Sequence, residues 1–333
     1  MKVLDLFSGC GGLSCGFADQ GFEIIAGLDH WDDALLTFSR NHPNSDAIKA
    51  DLAKSMDWRG LFSTEVDVIV GGPPCQGFSI SGKRDPDDDR NSLYQAFVEA
   101  VRELAPLFFV MENVPNLQSM RKGAFAEAIR QDFEELGYDV HSRVLLASDF
   151  GVPQKRKRVF FIASKNSLNG LPTKTHGTMD ETKLDNNLHK HENAINWIAK
   201  FDSDEYFEKE ELTTGKKYYR ELCQIPPGKN YFALTKRDNH PNPVFEPNKR
   251  FWSFLLKLHP NLPSWTIAAQ PGPWVGPLHW NNRRLRVPEI AALQTFPDDY
   301  KFYGSRRSIQ KQIGNAVPIL MAKSVVRFLI DQL

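Results

Sequence analysis

The chain has 333 residues, 41% of them hydrophobic and 25% charged, with 41 basic and 41 acidic side chains that cancel to a formal net charge of zero. This is the composition of an ordinary soluble globular protein, long enough for one large domain with an appendage or for two domains. It excludes a uniformly basic surface, so any nucleic-acid partner has to be met by local basic clusters.

The four cysteines, Cys10, Cys15, Cys75 and Cys223, have no metal-like spacing, and no His pair completes such a site, so no metal is expected. Cys10 and Cys15 share a glycine-rich segment where small residues are wanted, which favours packing. No apolar run approaches the roughly 20 residues that cross a bilayer, and MKVLDLF enters structure without the apolar stretch of a signal peptide. Free thiols without an export signal predict an intracellular, cytoplasmic protein.

In chain order, β-branched or apolar runs at 3–7, 23–28, 47–50, 66–70, 107–111, 140–146 and 158–163 predict strands. Helical patterns lie between them at 13–20, 33–41, 92–104 and 124–136. In the last, Phe125, Ile129, Phe133 and Leu136 recur at helical spacing, and Gly137 supplies the stop. Strand–helix alternation predicts an α/β fold, a doubly wound and mostly parallel sheet. After about Lys165 the chain turns rich in Pro, Asn, Lys and His and loses that rhythm, which predicts a smaller irregular domain. Order returns near Arg283, with helices expected at 288–295 and 318–330.

The turn Asp5-Leu6-Phe7-Ser8-Gly9-Cys10-Gly11-Gly12 runs from a strand into a helix, and its glycines let backbone approach a ligand closely. Ser14 stands where a dinucleotide fingerprint needs glycine, which disfavours a dehydrogenase. Phe7, Asp29 and Asp51 close three successive strands on one edge, the layout of a nucleoside pocket at a switch point. The plainer alternative is that the two acids only cap helices.

Strand 66–70 leads into Gly71-Gly72-Pro73-Pro74-Cys75-Gln76, which places Cys75 like a nucleophile on a restrained backbone before a polar loop. Strand 107–111 ends at Glu112 on the same edge. In Gln154-Lys155-Arg156-Lys157-Arg158, strand alternation predicts that Arg156 and Arg158 share a face, where two guanidiniums can hold a carbonyl, a phosphate and a carboxylate. A solvated basic edge is the competing reading.

Six segments, DLFSGCGGLSCGF, GGPPCQGFSISGKR, MENVP, ASDFGVPQKRKRVFFIA, RRLRVPEIAALQTFPDDY and QIGNAVP, resemble in content and order the DNA (cytosine-5) methyltransferases of bacterial restriction–modification systems. The resemblance implies a Rossmann-like fold that binds S-adenosyl-L-methionine, with residues 1–165 plus 305–333 as the catalytic domain and 166–304 as the target-recognition domain. It implies that Cys75 adds to C6 of cytosine, that Glu112 holds N3 and the exocyclic amine, that Arg158 contacts O2, and that Arg156 lies near the nucleophile and a phosphate. Around the cofactor it places Phe7, Gly9, Gly11, Gly12, Asp29, His30, Asp51, Leu52, Pro73 and Asn315. The target base has to be rotated out of the duplex by about 180°. For the DNA it implies contacts from Gln76, Ser79, Ser81, Lys83, Arg84 and Arg90, the loop closing on hinges at Gly77 and Gly82.

Between these motifs, Lys216-Lys217-Tyr218-Tyr219-Arg220, Lys236-Arg237-Asp238-Asn239-His240 and Asn248-Lys249-Arg250 interleave basic residues with aromatics and amides, as phosphate contacts and base reading require. Trp265, Trp274 and Trp280 fit the small domain's core better than stacking platforms, and His279 reads as structural. The family pattern has Thr and Arg where this chain has Arg286 and Pro288, which leaves the organisation of the recognition domain open. Double-stranded DNA is the expected partner of a monomeric, nucleoid-associated enzyme, and a restriction endonuclease that acts on the same site is a candidate companion. The rival readings are a tRNA cytosine-5 methyltransferase, against which the missing Cys-Phe-Thr signature speaks, and a DNA-binding protein that has lost catalysis.

Overall fold

The computed structural model describes residues 1–62, 64–74 and 92–333. Seven strands form one sheet: β1 Lys2–Leu6, β2 Glu23–Asp29, β3 Asp46–Lys49, β4 Val68–Gly71, β5 Phe108–Asn113, β6 Asp139–Leu146 and β8 Lys157–Ser164. A two-residue strand, β7 Gln154–Lys155, lies outside it. The sheet order is β3-β2-β1-β4-β5-β8-β6. Only β8 runs against its neighbours, β5 and β6. Strands β6 and β8 are joined by a short segment with no helical crossover, and such a connection gives an antiparallel pair.

Both faces of the sheet are covered. On β5, Phe108 and Val110 enter one core with Val3, Phe17, Val70 and Phe160, while Phe109 and Met111 enter the other with Leu4, Phe97, Phe133 and Phe161. Period-2 alternation divides an unbroken apolar run between two cores, as a sheet buried on both sides requires. Ile129 and Phe133 are buried and Phe125 and Leu136 half-buried, as helical spacing predicted, and Gly137 takes φ 84° after that helix.

The first core is closed from outside by helix Ile319–Ile330, which packs on α1 (Gly12–Ala18) through Met321, Ala322 and Val325. A preceding helix, Arg306–Asn315, was not expected; its polar face hides it in a sequence reading, and Ser305 caps it by accepting from Ser308 N at 3.2 Å. By composition the stretch 306–330 could cross a bilayer, contrary to the sequence reading. It is broken into two helices at 316–318, however, and the second is a core helix.

A third cluster joins the two halves of the chain. Cys10 and Cys15 pack there with Ile313 and Ile319, with Ile290 and Leu293 of helix Val287–Leu293, and with Ile198, Leu258 and Ile267. Burial pushes both thiols upward, Cys15 to about 12, so packing is their role. A fourth cluster, with Leu222, Tyr231, Leu234, Phe254 and Leu278, is the small core of the second half. Trp274 packs on that cluster and Trp280 on the third, while Trp265 belongs to neither and lies half-buried against Trp252.

Candidate active site

The carboxyl ends of β1, β2, β4 and β5 and the start of β8 meet on one edge. Glu112 is the penultimate residue of β5 and pairs with Phe160 across the β5–β8 ladder. Arg158 stands two residues before Phe160, on the same face. Its Nε lies 2.7 Å from Glu112 Oε1, with the two side chains 15% and 10% exposed. The contact is a close ion pair without hydrogen-bond alignment, and Oε1 has no aligned donor among the described residues. Burial raises the Glu112 pKa above that of an ordinary glutamate, against the opposing charges of Arg158 and then Arg156. The site therefore holds a carboxyl that keeps its proton unusually well.

Arg156 departs from the sequence expectation. It falls between β7 and β8, where the chain changes sheets: β7 pairs with Ser264–Trp265 and β8 with β5 and β6. Arg156 is wholly buried, and its Nη2 donates to Gly314 O at 2.9 Å and Asn315 O at 3.4 Å. Nη1 donates to Ile267 O at 3.5 Å. The carbonyls of Ile267, Gly314 and Asn315 occupy its fork, and its charge is still felt at Glu112 and Arg158. Burial, then the charge of Arg158, lowers its pKa to about 9, so it stays protonated at neutral pH.

Two glutamines escaped the sequence reading. Buried Gln154 donates to Leu293 O and Gln294 Oε1, both at 2.9 Å, and accepts from Ile267 N at 3.0 Å. Gln294 donates in turn to Ile313 O at 2.7 Å and Ala316 O at 3.2 Å. A glutamine between apolar residues, as in Ala291-Ala292-Leu293-Gln294, was the available signal.

At the other end of the edge, Asp29 closes β2 and is 12% exposed. It accepts from Gly9 N and Trp31 N, both at 2.9 Å, one on each oxygen, and the exposed His30 Nδ1 lies 3.3 Å from Oδ1. Phe7, Gly9 and Gly11 all take positive φ. A Cβ on Gly9 would meet nothing within 4 Å, whereas on Gly11 it would lie 2.8 Å from His42 Nε2 and 2.9 Å from Tyr300 Oη. On Gly12 it would lie 2.8 Å from Val317 O. The turn is thus backed by protein at Gly11 and Gly12 and bare at Gly9, beside a buried Ser8 hydroxyl that has no partner among the described residues. An open, polar backbone flanked by a carboxylate fits a nucleoside carrying an amino-acid tail.

Leu52 is buried, and Asp51 and His30 are exposed at the same rim. Pro73 O accepts from Asn113 Nδ2 at 2.8 Å, which ties the exit of β4 to that of β5. Asn315 is exposed at the end of its helix, beside the carbonyls that hold Arg156. Cys75, Gln76, Ser79, Ser81, Lys83, Arg84 and Arg90 lie outside the described residues.

At the start of helix Val287–Leu293, Arg286 forms a buried ion pair with Glu211 and donates to Phe201 O and Ser203 O. Asp202, His279 and Glu289 bring ligand atoms within 4.8 Å of one another. Arg283 already binds both of those carboxylates, at 2.7 Å and 2.6 Å, so a guanidinium fills the place of a cation. Burial lowers His279 to about 3, which keeps it neutral and structural.

The C-5 cytosine-specific DNA methylase family matches residues 1–331. The chain is 35% identical to the Type II methyltransferase M.SacI of Streptomyces achromogenes over 374 aligned positions, covering all of this chain and 93% of that protein. It is 34% identical to M1.HphI of Haemophilus parahaemolyticus, covering 98% of this chain and 85% of that one. Among solved structures, a prophage-encoded DNA modification methyltransferase of E. coli superposes with TM-score 0.68 at 26% identity, over 99% of each chain. The DNMT2 of Spodoptera frugiperda shares the fold, with TM-score 0.71 at 17% identity over 99% of each chain.

Proposed function

The chain belongs to the C-5 cytosine-specific DNA methylase family and is a DNA (cytosine-5)-methyltransferase, and from that premise we propose which residues carry the reaction and what they hold. Cys75 is the nucleophile, Glu112 the group that protonates N3, and Arg158 the residue that holds Glu112 and the cytosine O2. The observation that carries this reading is the buried Glu112 carboxyl with raised proton affinity, paired with Arg158 on the edge from which β4 leads through Pro73 and Pro74 to Cys75.

Carbon 5 of cytosine is too weak a nucleophile to be methylated unaided. Cys75 adds as thiolate to C6, and the electron pair displaced from the C5–C6 bond makes C5 nucleophilic. A protonated Glu112 donates to N3 through one oxygen and accepts from the exocyclic amine through the other, so charge developing on the ring is met by a proton already in place. Arg158 keeps the second oxygen of that carboxyl in position. Once C5 carries its methyl group, a base removes the C5 proton and Cys75 leaves from C6. Arg156 acts at a distance, by fixing the 314–316 corner and adding positive charge beside Glu112.

S-adenosyl-L-methionine supplies an electrophilic methyl group on a sulfonium. Asp29 is assigned to its ribose, Phe7 to its adenine, Asp51 to the adenine amine, and Gly9 with Ser8 to the methionine end; His30, Leu52, Pro73 and Asn315 complete the surround. Residues 166–304 are the target reader, and Gln76, Ser79, Ser81, Lys83, Arg84 and Arg90 contact the duplex around the rotated base. The enzyme acts as a cytoplasmic monomer on the nucleoid and protects sites cut by a partner endonuclease.

A duplex carrying 5-fluorocytosine at the methylated site tests the assignment, because the fluorine blocks loss of the C5 substituent. Wild type is expected to give a denaturant-stable protein–DNA adduct mapped to Cys75, and Cys75→Ser none. An adduct at another residue removes Cys75 from the mechanism. Equal methylation of tRNA and duplex DNA would favour the RNA reading.

A further inference from the structure

Phe251 is 81% exposed and its neighbour Trp252 is 48% exposed, whereas most of the described aromatic side chains are buried or half-buried. Their backbone is nevertheless held firmly. Tyr231, wholly buried, donates from its hydroxyl to Arg250 O at 3.0 Å. Buried Asn230 donates to Trp252 O at 2.7 Å, and Phe254 N closes a turn on Phe251 O at 2.9 Å. Two buried polar side chains are thus spent on fixing a turn whose tip presents a phenyl ring to solvent. A fixed, projecting apolar ring suits a contact made elsewhere than in the core.

The surroundings point to a polyanion. From 247 to 288 the chain carries no Asp or Glu, although its overall charge is balanced. Lys249 and Arg250 flank Phe251, and Glu246 is the nearest acid in sequence. Trp252 meets Trp265 edge-on at 4.6 Å, and Lys155 Nζ lies 5.1 Å from the Trp265 ring. Lys155 stands three residues before Arg158, with the change of sheets at Arg156 between them, so this basic and aromatic strip lies on the chain that leads to Arg158. Phosphates would meet the cations, and only a base offers the phenyl ring a flat apolar partner.

We propose that Phe251 is a stacking wedge that enters the duplex beside the rotated cytosine, with Lys249, Arg250 and Lys155 on the flanking phosphates. The proposal rests on the reading of the chain as a base-rotating DNA methyltransferase. A wedge in an opened step holds the remaining bases apart and keeps the rotated base from returning.

The test uses the full-length enzyme and a duplex bearing the site mapped by bisulfite sequencing of DNA from expressing cells, with 2-aminopurine placed in turn at each step around the target. Wild type is expected to raise fluorescence at one step next to the target. Phe251→Ala should lose that rise and bind about 5- to 150-fold more weakly, with an unchanged melting temperature because the ring is exposed. Phe251→Trp should restore both readouts. Wild-type affinity and fluorescence in Phe251→Ala overturn the proposal, and so does weaker binding with the fluorescence rise intact. Neither readout requires methyl transfer, so a failure of the chemistry assigned to Cys75 would appear separately, as lost methylation with the wedge signals unchanged.

Discussion

Arg158 Nε lies 2.7 Å from Glu112 Oε1, yet that oxygen is left without an aligned hydrogen-bond donor. The arrangement neutralises the carboxylate that forms once the group has passed its proton to a base. Glu112→Gln keeps the shape and removes the transferable proton. It is expected to lower kcat by roughly 10²–10⁴-fold with little change in DNA Kd, measured by single-turnover methylation.

The pH profile should carry the same signature. Burial raises the Glu112 pKa above the ordinary 4.5, and the donating form exists below the raised value. The rate is therefore expected to fall as pH rises through that value, and this limb should vanish in Glu112→Gln, whereas the limb from thiolate formation at Cys75 stays. A wild-type profile without an upper limb would show that Glu112 gives up no proton.

Asp5 makes stability depend on pH. It is buried with one oxygen unpartnered among the described residues, and burial lifts its pKa from 3.8 to about 7 despite a 2.6 Å hydrogen bond from Ser14 Oγ. The folded chain holds the proton longer than the unfolded chain, so this contribution is complete below about pH 4, is lost between about pH 4 and 7, and is flat above. Asp5→Asn escapes the loss. Its melting temperature should gain on wild type across that window and hold a constant lead at higher pH.

Gly11→Ala should be damaging twice over. The residue sits at φ +87°, and its Cβ would lie 2.8 Å from His42 Nε2 and 2.9 Å from Tyr300 Oη. Overpacking of this kind costs about 1–3 kcal/mol, and the displaced turn carries Gly9 and Ser8 with it. Calorimetric titration with S-adenosyl-L-methionine is expected to show weakened binding alongside a lower unfolding midpoint.

Breaking the Arg286–Glu211 pair should unsettle the second half of the chain. Glu211→Leu leaves a buried guanidinium without its partner and is expected to cost about 3–5 kcal/mol in urea unfolding, with loss of specific DNA binding. Adding Arg286→Met should restore much of the stability, because both charges are then gone.

The sheet was legible because its strands are apolar runs between helices with clear periods, and Phe108–Met111 divides between two cores as alternation demands. Asp29 and Glu112 were legible because a strand's end fixes where its last side chain stands. Arg156 was not. Alternation assumes one continuous strand, whereas the chain leaves one sheet and joins another at that residue, with main-chain carbonyls some 110 and 158 positions away taking up its fork. His42, Tyr300 and Val317 behind the glycine-rich turn were invisible for the same reason: they arrive through tertiary packing, which leaves no local period. Arg286, noted as a departure from the family pattern, finds its explanation in Glu211, a partner 75 positions away.

The backing of Gly12 by Val317, and of α1 by helix Ile319–Ile330, carries a consequence for biosynthesis. Until residue 317 and the helix after it have left the ribosome, the turn assigned to the methyl donor has no rear wall. A chain cut short before residue 317 is expected to bind the methyl donor more weakly than the full chain, which calorimetric titration of the truncated product checks.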